Sequence, residues 1–81
     1  MKNTIALNHK LIGGNISAIR RVRGMKLETV ALGMDVSKSK ISKIENGQYT
    51  NLSIEFLMEL AVYFEVNLEE LFKGIVLPPH T

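Results

Sequence analysis

From Ile12 to Phe72 the apolar residues recur three and four positions apart, and no proline interrupts them before Pro78. That spacing lines one face of an α-helix. Only glycines and turn residues break helical runs between 12 and 73. A chain of 81 residues holds one small domain, able to bury about 60% of the surface its unfolded form exposes. The expected fold class is all-α, with five short helices around a single core.

Punctuation divides the run. Ile12, Ile16, Ile19 and Val22 mark a first helix, closed by Gly24, the residue that most easily takes a left-handed cap. Leu27, Val30, Ala31 and Met34 mark a second, with Glu28 near its positive end and Gly33 loosening its last turn. Asp35-Val36-Ser37 reads as a tight turn, since Asp tolerates the left-handed region and Ser37 is a good N-cap. A third helix follows over about 38–46, its core side limited to Ile41 and Ile44, and Gly47 ends it. Residues 48–52 make a polar loop. Ser53 caps a fourth helix over 54–64, and Asn67 with Glu70 fits a capping box opening a short fifth helix with Leu68, Leu71 and Phe72. The domain is thus 12–73, with an N-terminal arm at 1–11 and a C-terminal tail at 74–81. Ile5/Leu7 and Ile75-Val76-Leu77 hint at extended ends.

Several function classes drop out. Without cysteine there is no disulfide framework, thiolate metal site or cysteine nucleophile, and His9 and His80 stand at opposite ends of the sequence. No metal ion, cofactor or small-molecule ligand is therefore expected. Ser37, Ser39 and Ser42 lack a base to activate them and no glycine-rich phosphate loop is present, so catalysis is not expected either. No apolar run approaches the roughly 18 residues of a membrane span. The N-terminus does not read as a signal peptide. A soluble cytoplasmic protein is expected by elimination.

Charge is unevenly placed. Residues 1–43 carry nine Lys/Arg against Glu28 and Asp35, whereas residues 44–81 carry Lys73 against six glutamates. One end suits a polyanion and the other repels it. The third helix concentrates the basic signal, presenting Lys38, Ser39, Lys40, Ser42 and Lys43. A helix so poor in apolar residues is barely stable alone and needs neighbours to hold it. A solvated surface helix is one explanation. An α-helix entering the major groove is the other, with lysines reaching guanine O6/N7 or phosphate and serine hydroxyls donating or accepting.

Residues 12–72 resemble the lambda-type repressor and Cro helix-turn-helix family, of the XRE type. Ile12-Gly13, Ile16, Ile19-Arg20 and Gly24-Met25 resemble its opening helix, and Val30-Ala31 with the turn at 35–37 resembles the first half of the motif. Ile41-Ser42-Lys43-Ile44-Glu45-Asn46-Gly47 resembles the end of its recognition helix, and the run from Leu57 to Leu71 resembles its closing helices. The resemblance implies that Lys38, Ser39 and Lys43 face base edges. It implies that Asn46, Gln48, Tyr49, Thr50 and Asn51 approach phosphates. Lys40 lies off the base-reading line and reads as a phosphate contact or as plain surface. Two positions depart from the family pattern: Leu27 stands where Gln usually anchors phosphate, and Asp35 where Gly usually makes the turn.

Glu45 lies in the last turn of the third helix, where a carboxylate opposes the helix dipole. The resemblance implies a buried pair with Arg20, fixing the recognition helix to the first helix. In the fourth helix Ile54, Leu57, Leu60, Ala61 and Phe64 form a core stripe, yet Phe56, Met58, Val62 and Tyr63 are apolar too. A helix apolar over most of its circumference wants a second burial partner. Those four residues are the expected homodimer interface.

The resulting expectation is a sequence-specific regulator that binds double-stranded DNA as a homodimer on a palindromic operator. A phage-type repressor, a restriction-modification controller and an antitoxin-type autoregulator all fit it. The rival expectation is a protein-interaction module on the same fold that has lost DNA affinity, favoured by Leu27 and Asp35.

Overall fold

A computed structural model describes residues 8–74, and the terminal segments at 5–7 and 75–77 lie outside the described residues. Among the described residues four α-helices run in order: α1 (His9–Val22), α2 (Leu27–Met34), α3 (Lys38–Glu45) and α4 (Ile54–Phe64). A 3₁₀ helix, Leu68–Phe72, takes the place of the expected fifth α-helix.

Local side chains start three of these helices. Asn8 Oδ1 accepts from the Leu11 amide at 3.0 Å, Ser37 Oγ from Lys40 at 3.1 Å, and Ser53 Oγ from Phe56 at 3.0 Å. Each bond satisfies a donor the helix cannot satisfy itself. Because Asn8 caps it, α1 opens at His9, three residues before the apolar period begins. Asn67, by contrast, makes no side-chain cap. The turn there closes through backbone alone, the Glu70 amide donating to the Asn67 carbonyl at 2.9 Å, so the capping box does not form and the segment stays 3₁₀.

The core joins every element: Ile12 and Ile16 of α1, Val30 and Ala31 of α2, Ile41 and Ile44 of α3, Leu57, Leu60, Ala61 and Phe64 of α4, and Leu71. Ile19, Leu27, Met34, Leu68 and Phe72 of the expected apolar stripes pack against it half-buried, and two more stripe residues are exposed. Val22 is exposed because α1 has passed the core by its last turn, and Ile54 because it opens α4 ahead of the first buried turn at Leu57. Gly33 does not fray α2, which continues through Met34. A Cβ at Gly33 would collide with the Tyr63 ring, so the missing side chain is what lets α4 close on α2. Gly13 plays the same part between α1 and α3, where a Cβ would collide with the Ile44 carbonyl.

Candidate nucleic-acid interface

The site is built around α3, which packs against both α1 and α2. Ile41 and Ile44 are its only buried residues, so two aliphatic anchors fix its rotation. Lys38, Ser39 and Lys43 are left exposed, and Lys40 and Ser42 are half-buried.

Arg20 and Glu45 clamp the C-terminal end of α3. Arg20 Nε donates to Glu45 Oε2 at 2.6 Å and Nη2 to Oε1 at 3.0 Å, while Nη1 donates to the Met25 carbonyl at 2.8 Å. The side chains retain 11% and 8% of their exposure. A bidentate guanidinium–carboxylate pair this short is among the stronger charge-assisted contacts. It ties α1, the turn before α2 and the end of α3 together. It also neutralises a carboxylate that would otherwise oppose the dipole at the end of α3.

The remaining residues expected at the interface divide by what they already touch. The Asn46 side chain donates to the Ser42 carbonyl at 3.0 Å, closing the end of α3, and the Gln48 amide donates to the Lys43 carbonyl at 2.9 Å. Gln48, Thr50 and Asn51 are exposed, whereas Tyr49 is half-buried and packs against the core. Lys40 Nζ lies 4.5 Å from the Phe56 ring centre and 5.2 Å from that of Tyr49. A cation over two rings is held electrostatically, and the contact draws the loop after α3 onto the helix. Leu27 is half-buried against the core, and Asp35 is exposed in the left-handed region at φ 58°.

Phe56 and Tyr63 are half-buried in their own chain, and Tyr63 Oη donates to the Thr29 carbonyl at 3.4 Å. Met58 and Val62 are exposed, and with Ile54 they form a stripe at four-residue spacing along α4.

Further polar contacts lie beyond what the sequence pattern announces. Asn15 Nδ2 donates to the Leu71 and Lys73 carbonyls, each at 2.9 Å, and so fastens the 3₁₀ helix to α1. A polar, poorly helix-forming residue in mid-helix was the available signal. Lys38 Nζ meets Glu28 Oε2 at 3.3 Å, and nothing in a ten-residue separation across a turn announces that pair. Among the described residues no group of His, Cys, Asp and Glu could hold a metal ion, and no helix is long and apolar enough to cross a membrane.

Comparison with known proteins matches residues 16–71 to the family model described as "Helix-turn-helix". The HTH-type transcriptional regulator SlrR of Bacillus subtilis is 42% identical over 62 residues, covering 76% of this chain and 41% of that protein. The HTH-type transcriptional regulator SinR of the same organism is 34% identical over 61 residues, covering 75% of this chain and 55% of that one. The chain therefore spans about half or less of these relatives. Among solved structures, the restriction-modification controller protein C.AhdI from Aeromonas hydrophila superposes with a TM-score of 0.72 at 27% identity, covering 78% of this chain and 94% of that one. With the helix–turn–helix geometry of α2 and α3 described above, these matches place the chain in the XRE-type helix-turn-helix family that its sequence resembles.

Proposed function

We propose that the chain is a DNA-binding transcription regulator that inserts α3 into the major groove of duplex DNA and reads bases with Lys38, Ser39 and Lys43. One observation carries this reading: the side of α3 opposite its buried isoleucines is basic and hydroxyl-bearing, and the Arg20–Glu45 pair holds its end in place. The exposed loop residues Gln48, Thr50 and Asn51 follow α3 directly and are assigned to phosphate contacts, together with Asn46 and Tyr49. Lys40 reaches phosphate only from the edge of its aromatic seat. The relatives' description as transcriptional regulators supports the same reading.

A homodimer completes it. The exposed stripe of Ile54, Met58 and Val62 gives two copies an apolar seam; Phe56 and Tyr63, half-buried against α3 and α2 on the other flank of α4, offer it only their exposed edges. Glu55 and Glu59 beside the seam keep it away from phosphate. Half-sites one helical turn apart, about 10 bp, follow from a two-fold dimer.

Salt titration of duplex binding, followed by fluorescence anisotropy, tests the reading. Affinity falls steeply and linearly in log–log form as salt rises. A base-reading lysine differs from a phosphate-binding one, so Lys43→Ala weakens binding to a selected site more than to random duplex. Absence of binding at low salt would instead leave a protein-interaction module on this fold.

A further inference from the structure

We propose that Glu28 is a positioning residue for the recognition helix: by holding the Lys38 ammonium, it directs that lysine toward a base edge and away from phosphate. The proposal rests on reading α3 as the DNA-facing helix.

The three lysines of α3 are held in three different ways. Lys40 lies over the Phe56 and Tyr49 rings, and Lys43 has no ion-pair partner among the described residues. Lys38 alone is tethered to a carboxylate, with its Nζ 3.3 Å from Glu28 Oε2. Glu28 belongs to the first turn of α2 and Lys38 opens α3. The pair therefore stands at the N-terminal end of the recognition helix, where base edges are contacted. Both side chains are more than half exposed, at 56% for Lys38 and 62% for Glu28.

Lysine is a point charge on a flexible stem, and an untethered one takes whichever phosphate is nearest, without regard to sequence. A carboxylate on the ammonium changes that choice. Moving Lys38 to a phosphate breaks the pair or brings two anions together. A guanine O6 or N7 is a neutral acceptor, and an ammonium has three donors. Lys38 can thus give one N–H to guanine while another stays on Glu28. Glu28 keeps its charge at neutral pH. Its own backbone amide at the start of α2 and, after it, the Lys38 ammonium hold its carboxyl below the ordinary glutamate range.

The test compares the unaltered chain with Glu28→Gln, Glu28→Ala and Lys38→Ala, by enrichment sequencing from a random duplex library and by affinity for a fixed random duplex. Both Glu28 variants are expected to bind random duplex about three- to tenfold more tightly, the effect of deleting one surface charge beside a polyanion. Guanine enrichment at one position of each half-site should flatten in those variants. Lys38→Ala should lose enrichment at that same position, and Glu28→Gln added to Lys38→Ala should change the profile no further. If the Glu28 variants shift selected and random duplexes by the same factor and every base preference persists, the proposal is overturned and Glu28 is background charge. If the unaltered chain enriches no site at all, base reading by α3 fails, and this proposal fails with it.

Discussion

Glu65 follows α4 with φ 58° and ψ 45°, a left-handed conformation in which an L-residue crowds its own carbonyl. The Val66 amide still donates to the Ala61 carbonyl at 2.9 Å, so the turn itself is well closed. The strain, roughly 1–2 kcal/mol, exceeds the extra unfolded-state freedom a glycine brings, roughly 0.5–1 kcal/mol. Glu65→Gly should therefore stabilise the chain by about 0.5–1 kcal/mol and raise the melting temperature by a few degrees. A lower melting temperature would mean that the Glu65 side chain contributes more than its backbone costs. Asp35 takes the same conformation at the end of α2, but aspartate visits that region more readily, so the gain from glycine there is smaller.

At the scale of elements, α3 is an eight-residue helix with two buried side chains, too short and too polar to persist alone. Its orientation depends on the Arg20–Glu45 pair. Glu45→Gln keeps the shape but leaves a guanidinium that is only 11% exposed without its counter-charge. The expected loss is about 3 kcal/mol, the low end for breaking a buried pair because the site is not fully closed to water. In a domain of this size that lowers the melting temperature by more than about 10 °C; a change of a degree or so would contradict the clamp. The caps of α3 and α4 were legible in the sequence, since Ser37 and Ser53 act on amides three residues away. The core was legible from Ile12 to Leu71 because helical period alone selects it. Ile54 and Val22 were misplaced because period gives a face but not where along a helix the core ends. The tether between Glu28 and Lys38, and the aromatic seat of Lys40, depend on how α2 and α4 pack around α3, which local pattern does not encode. Gly33 looked like a weak point and is a contact, for a reason visible only in Tyr63.

At the scale of the molecule, the basic half of the sequence carries α3 and the acidic half carries α4, each with a different proposed partner. The α4 seam asks for a second copy, and its most exposed member is Val62, at 77%. Val62→Glu should leave the folded monomer within about 0.5 kcal/mol, as surface substitutions do, while converting the species seen by sedimentation equilibrium from dimer to monomer. Its affinity for a two-half-site duplex should fall to that for a single half-site. A variant that still sediments as a dimer would move the interface off α4.

Base reading by α3, held by its clamp, is proposed to run through Lys38 and Lys43. Enrichment sequencing from a 40-bp random duplex pool (roughly four helical turns), for the unaltered chain and for Lys38→Ala/Lys43→Ala, tests it most directly. The expected result is an inverted repeat that disappears in the double variant while the fold, followed by circular dichroism, is kept. The same inverted repeat recovered from the double variant would contradict it.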